Sequence, residues 1–377
     1  MKNEELRMKN RIGTVLSLAV CLMAVSWGTA QNCHIKGRVA VPEMQGKNIA
    51  LMNMNTGKTL ASMKIADSVF AFDIEVTEPF VGMLKTDPQN NNPRSFYYLR
   101  MAGEPGDIYA DLVTDSLSGT PMNAQIHQYT KRIHREVSVI NAYNTQLRES
   151  VNMPAEMRQE LESKVDHCYD ELRLYLWDAF MTNKDNALGA IALEDCMDLT
   201  DASAYEYVMS ELESAAPVVT TNQPLQRKLS AMSRVSPTAA GKPYIDLELT
   251  DYKSGKPIKL SKVINGKVAL IDFWASWCGP CRREIPNLAK IHEKYGNNKG
   301  FVLVSLNVWD KPDAQAKAIK QLGMNWTQLT DATRNATDKY GVDGIPQILL
   351  IGKDGKIIAR DLRGEEIEEV VKKALEN

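Results

Sequence analysis

Neither sign of charge prevails in this chain. Lys and Arg total 45 against 47 Asp and Glu, a formal net charge of −2. No electrostatic field therefore favours nucleic acid or an anionic membrane, and no nucleic-acid partner is expected. Cysteine is scarce as well: six in 377 residues are too few for a fold held by a disulfide framework. Metal-ligand spacing is missing. The CxxC pair Cys278 and Cys281 has no second such pair, His292 stands alone beyond it, and His127, His134 and His167 do not recur at one ligand spacing. No metal site is expected, nor any cofactor. The apolar run near the N-terminus, Ile12–Trp27, is about 16 residues, short of the ~20 that a membrane-spanning helix needs.

What is present is concentrated in Val268–Pro286, which reads VALIDFWASWCGPCRREIP. Val268–Trp274 has the length and the β-branched and aromatic content of a buried strand. Ala275–Trp277 reads as a short turn, and from Arg282 onward the residues are charged and helix-compatible. Cys278 therefore falls where a strand ends and a helix begins. Unpaired backbone N–H groups and the positive end of the helix dipole stabilise a thiolate there, and the thiolate is the reactive form of sulfur. The two-residue spacing puts Cys281 one turn along the helix, within reach for a disulfide. Half of a zinc site would need a second pair of ligands. An inert structural bridge needs neither the strand–turn–helix setting nor the flanking Trp277. Redox cycling between dithiol and disulfide is the reading carried forward.

WCGPC after a strand resembles the active-site motif of thioredoxin. FWASWCGPCRREIP is similar to the version carried by TlpA/ResA-like thiol-disulfide oxidoreductases of bacterial envelopes. Gly344-Ile345-Pro346, before the apolar run Gln347–Ile351, extends the resemblance, which covers roughly Thr238–Asn377. It implies an α/β thioredoxin fold at the C-terminus, with Pro346 cis before the third core strand and against the cysteines. Ile345 and Pro346 would then offer a backbone edge on which a substrate peptide pairs as an added strand. The resemblance implies Cys278 as the attacking and more exposed sulfur and Cys281 as the resolving one. Asp272 matches the buried acid of thioredoxin, so a raised pKa and proton transfer to Cys281 are expected; many TlpA/ResA-like sequences carry Asn there. Glu284 matches the glutamate of a CxxCxxE motif and reads equally as a solvated first-turn acid favoured by the helix dipole. Trp277 is expected to form an apolar rim for docking, with packing beneath the loop as the alternative. Arg282 and Arg283 read as a solvated face.

The rest of the chain divides by pattern. Residues 1–30 read as a secretory signal peptide: basic Lys2, Arg7, Lys9 and Arg11, an apolar stretch, and small residues ending at Ala30. Lipidation at Cys21 is disfavoured by the bulky Val20. Residues 31–118 alternate short apolar runs with turn residues, as a small all-β sandwich or barrel does; Val69–Val76 is the clearest strand. IKGRV and the strand spacing resemble the DUF4369-type β domain found ahead of thioredoxin domains in Bacteroidetes proteins. Residues 119–216 read as a helical segment, with Gln125–Glu149 and Pro154–Met181 the longest helices and Cys168 on the apolar stripe of the second. The register leaves a Cys168–Cys196 bridge open without favouring it. Residues 217–237 read as a linker with a short helix around Leu225–Arg234, and 238–377 as the thioredoxin-like domain.

An exported reductase of protein disulfides in the periplasm or cell envelope is the function expected. Its partners would be disulfide-containing envelope proteins and, as the family suggests, an upstream thiol electron donor in a membrane relay. The alternatives are a disulfide oxidase or isomerase, and a partner-binding stress-response module with a regulatory redox site.

Overall fold

The computed structural model describes residues 30–88, 95–150 and 153–376. The expected signal peptide, up to residue 29, and most of the Asn- and Pro-rich loop 87–93 lie outside the described residues.

Eight strands open the described chain: β1 Gln31–Arg38, β2 Asn48–Asn53, β3 Lys58–Lys64, β4 Val69–Val76, β5 Phe80–Thr86, β6 Tyr98–Gly103, β7 Gly106–Asp111 and β8 Ser116–Ser118. They form two four-stranded sheets, ordered β4-β1-β7-β8 and β3-β2-β5-β6. In β4 the alternation read from sequence holds, with Phe70 and Phe72 inward and Val69, Ala71 and Asp73 outward. The strand β5 was not anticipated. Its residues are buried or half-buried on both faces, so it lacks the period-2 signature of a half-solvated strand.

Helices follow: α1 Pro121–Glu149, α2 Ala155–Met181, α3 Ala187–Met197 and α4 Tyr205–Leu212. Pro154 is the N-cap of α2 rather than part of its first turn. The helix α3 is buried on nearly every face from Ala187 to Leu193, and its start is capped by the Asn186 side chain, which accepts from the Leu188 and Gly189 N–H groups. A partly buried polar knot ties it to β6 and α1. Arg100 donates twice to Asp195, at 2.7 Å each, and Tyr129 donates to the same carboxylate at 2.9 Å. Cys33, Cys168 and Cys196 are free, so no Cys168–Cys196 bridge exists, and Cys168 is half-buried rather than on the buried stripe.

The stretch 217–237 corrects the linker reading, except for the short helix expected around Leu225–Arg234. It folds as α5 Pro217–Thr220 and α6 Gln223–Val235. Pro217 and Pro224 occupy first-turn positions, where a missing N–H leaves no helical bond unmade. Val218, Val219, Leu225 and Leu229 are buried in the cluster that begins at Cys33, so β strands and helices share one core.

The C-terminal part is built on a seven-stranded sheet, ordered β10-β9-β13-β12-β11-β14-β15. Its strands are β9 Glu248–Asp251, β10 Pro257–Lys259, β11 Val268–Trp274, β12 Phe301–Asn307, β13 Thr327–Thr330, β14 Gln347–Ile351 and β15 Ile357–Ala359. The central β11 runs parallel to β12 and antiparallel to β14. Its residues are buried on both faces, which explains an apolar run broken only by Asp272. Val268, Leu270 and Trp274 face a core shared with α8 Gly279–Tyr295, α9 Pro312–Leu322 and α11 Glu366–Glu376. Ala269, Ile271 and Phe273 face α7 Leu260–Ile264 and α10 Asn335–Tyr340. This is the thioredoxin fold that the motif implied, entered by a strand–turn–helix step from β11 into α8.

The two parts meet where α6 ends. Arg234 pairs with Asp343 at 2.5 Å, and Arg360 donates to the Thr238 carbonyl and hydroxyl and to the Tyr340 carbonyl. Gly341 sits in the left-handed region at φ 61°, and a Cβ there would lie 2.5 Å from the Arg234 carbonyl oxygen. Gly323 has the same backbone conformation, φ 64°, but nothing within 4 Å of its would-be Cβ. Gly323→Ala should therefore cost only the left-handed backbone penalty, about 1 kcal/mol, whereas Gly341→Ala adds a backbone overlap and should cost about 3 kcal/mol. Thermal melts of the two variants are the check, and equal shifts would show that the junction at Gly341 is not tightly packed.

Candidate active site

The turn between β11 and α8 is fixed before the cysteines are reached. Asp310, just after β12, accepts from the Ser276 N–H at 2.6 Å, the Ser276 hydroxyl at 2.9 Å and Asn307 Nδ2 at 3.1 Å. Burial alone would raise the pKa of its carboxyl, but these donors hold it below the usual value. The Arg282 guanidinium reaches back to the Ser276 carbonyl at 3.3 Å, so it is not simply solvated. Nothing in the local sequence marks Asp310, because its partner turn lies 34 residues earlier.

Cys278 is the N-cap of α8, and its Sγ accepts from the Cys281 N–H at 3.1 Å. The two sulfurs are joined in a disulfide with Cα atoms 5.3 Å apart. Exposure does not rank them: in the disulfide Cys278 is 3% and Cys281 2% exposed. The expectation of a more exposed Cys278 fails because the loop containing the cis Ile345–Pro346 bond covers it, with the Ile345 carbonyl oxygen 3.6 Å from its Sγ. Position ranks them instead. Cys278 lies at the helix terminus, where the backbone N–H of the next turn points at its sulfur, and Cys281 lies inside the first turn.

Trp277 is 61% exposed, and its indole N–H donates to the Trp309 carbonyl at 3.1 Å. It stands over the rim of the site rather than beneath the loop.

Asp272 is fully buried on the face of β11 that carries Leu270 and Trp274, the face packed with both cysteines. Its pKa is pushed up to about 7: burial raises it, the Ser305 hydroxyl at 3.1 Å opposes, Glu284 adds to the rise and Arg363 lowers it. Glu284 is neither a free surface acid nor a group touching the sulfurs. Its Oε1 accepts from the Gly364 N–H at 3.1 Å and from Asn287 at 3.0 Å, which fastens the loop before α11 onto the cysteine helix. From that loop Arg363 donates to the Pro346 carbonyl. Sequence reading brought Asp272, Trp277, Cys278, Cys281, Glu284, Ile345 and Pro346 to one place, and missed Ser305, Asp310 and Arg363.

Comparisons with known proteins find relatives of the C-terminal part. The Redoxin family matches residues 239–375. A thiol-disulfide oxidoreductase ResA from Bacillus thuringiensis subsp. konkukian is 32% identical over 135 residues, 36% of this chain and 76% of that protein. The thiol:disulfide interchange protein HelX of Rhodobacter capsulatus is 30% identical over 144 residues, 38% of this chain and 70% of its own length. Among solved structures, the thioredoxin domain of a thiol-disulfide oxidoreductase from Bacteroides vulgatus is 30% identical. It covers 36% of this chain and 96% of its own, with a TM-score of 0.34. This chain belongs to the TlpA/ResA-like thiol-disulfide oxidoreductases.

Proposed function

We propose that the chain is an exported reductase of protein disulfides in the cell envelope. The observation that carries this reading is the disulfide at the N-terminus of α8 lying against the Ile345–Pro346 edge. In the dithiol form the Cys278 thiolate attacks a substrate disulfide. One substrate sulfur leaves as a thiolate and the other stays bonded to Cys278. Asp272 takes the proton from the Cys281 thiol. The Cys281 thiolate then attacks Cys278 Sγ, and the second substrate sulfur leaves with the electron pair. The enzyme ends as the disulfide, and a thiol donor must return two electrons. Trp277, Ile345 and Pro346 form the docking edge, where an extended substrate segment pairs with backbone. Export rests on residues 1–30, whose pattern ends in a small-residue cleavage site at Ala30. Among the described residues no helix is long and apolar enough to cross a membrane.

The reducing direction follows from what surrounds the sulfurs. Gly279 and Pro280 place no side-chain donor or cation between them, and Asp272 adds negative charge nearby when ionised. Neither feature over-stabilises a thiolate. A potential near the thioredoxin value of about −270 mV is expected, against about −120 mV for strongly oxidising members of the fold. Equilibration of the purified protein against a glutathione series measures this; a value near the oxidising end would make the protein an oxidase.

The order of attack gives a second test. Cys281→Ser, expressed in the native envelope, should accumulate mixed disulfides through Cys278, and Cys278→Ser should trap almost none. The same preparations should have an intact mass that begins at Gln31, and a lipidated Cys21 would contradict cleavage after Ala30. Equal trapping by both variants would reverse the assignment of the two sulfurs.

The buried acid gives a third. A carboxyl at about 7 in the folded protein, against about 4 unfolded, binds more protons folded than unfolded between those values. It therefore lowers stability as pH rises through that window, by on the order of 4 kcal/mol in full. Asp272→Asn should slow turnover near neutral pH, yet be more stable than the parent at alkaline pH and similar in acid. Denaturant unfolding across pH reads the second effect and insulin reduction the first. Unchanged turnover would leave Asp272 without a proton-transfer role.

A further inference from the structure

On β12, Ser305 stands between Val304 and Leu306, and the parallel register sets it beside Asp272 of β11. Its Oγ lies 3.1 Å from Asp272 Oδ2. The same oxygen accepts the Trp326 indole N–H at 2.9 Å. Asp272 is 2%, Ser305 0% and Trp326 3% exposed, so the chain of three is shut off from solvent. Trp326 belongs to the core cluster that contains both cysteines, and its ring packs 5.7 Å from that of His292 on α8.

Hydrogen-bond capacity then dictates direction. An indole N–H can only donate, and a serine hydroxyl carries one proton. An ionised Asp272 carboxylate can only accept, so Ser305, whose oxygen also accepts from Trp326, donates its proton to it. The other charged groups facing Asp272 are Glu284 from α8 and Arg363 from the loop before α11, which act in opposite directions. Glu284 makes its hydrogen bonds to Gly364 and Asn287, and Arg363 to Pro346 and Leu362.

We propose that Ser305 and Trp326 are positioning residues for the reaction: the Trp326 N–H orients the Ser305 hydroxyl so that it holds Asp272 ready to accept the Cys281 proton. The proposal rests on the reading of Asp272 as that base. During the step the proton moves from Cys281 Sγ to the Asp272 carboxylate, the Cys281 electron pair forms the bond to Cys278, and the substrate sulfur leaves. Ser305 keeps its own proton throughout.

The test uses the full mature chain with carbon-labelled aspartate carboxyls, in the disulfide form. The Asp272 resonance, assigned by its loss in Asp272→Asn, is followed by NMR as pH is raised, and insulin reduction is measured over the same pH range. Removing a hydrogen bond to a charged group should move the Ser305→Ala midpoint up by about one unit, which leaves about fivefold less carboxylate at neutral pH. Reduction at neutral pH should fall by a similar factor and recover in alkali. Ser305→Thr, which keeps the hydroxyl, should restore the midpoint. Trp326→Phe should move it in the same direction by less. An unmoved midpoint in Ser305→Ala overturns the proposal, and an unmoved midpoint in Trp326→Phe alone removes Trp326 from it. A midpoint that moves without any change in rate would uphold the positioning and sink Asp272 as the base. Should Trp326→Phe fail to fold, the Ser305 pair still decides the central claim.

Discussion

A carboxylate set in the middle of an apolar strand is the constraint on which the rest of this site depends. β11 is buried along its whole length, and Asp272 shares a face with Leu270 and Trp274. Ionising a group there is costly unless hydrogen bonds and nearby charge compensate. The compensation is partial and comes from several elements at once: Ser305 from the neighbouring strand and Arg363 from the loop before the last helix, with Glu284 working against them. The outcome is an acid that changes charge near neutral pH, where a proton acceptor for a thiol is useful. Residues that look like fold-stabilising polar contacts therefore also set the charge of Asp272.

The loop beside the sulfurs is held from two sides. Arg363 grips the Pro346 carbonyl from within the thioredoxin domain, while α6 of the N-terminal part abuts Gly341 and pairs Arg234 with Asp343. The ion pair is largely exposed, with side chains 47% and 71% accessible, and a pair of that kind contributes little, about 0–1 kcal/mol. The firmer hold is the close backbone approach at Gly341 together with Arg360, which binds Thr238 and Tyr340 at once. The N-terminal part is thus joined to the very segment that runs into Ile345 and Pro346.

Local patterns were legible and long-range register was not. The strand β11, the cysteine turn and the Ile345–Pro346 step are written in consecutive residues, and so is the alternation of β4. The strand β5 was hidden because burial on both faces erases alternation, and β13 because four residues, TQLT, carry too little apolar signal. The helix α6 was legible as a short helix around Leu225–Arg234, whereas α5 was concealed by Pro217, which reads as a breaker until it is seen in a first turn. Ser305, Asp310, Trp326 and Arg363 act on groups far away in sequence. Only strand pairing such as Asp272 with Ser305 brings them together.

Sulfur placement shows how one element acquires two chemistries in the same chain. Cys278 caps a helix, and its sulfur receives the backbone N–H of the following turn. Cys33 lies inside the N-terminal core, where burial pushes its thiol up to about 11, and burial raises Cys196 likewise. A thiol held protonated is a poor nucleophile, so these two behave as small hydrophobes. Thiolate formation is thereby suppressed in the core around Cys33 and Cys196. Neither buried thiol therefore competes as a nucleophile with the Cys278–Cys281 pair.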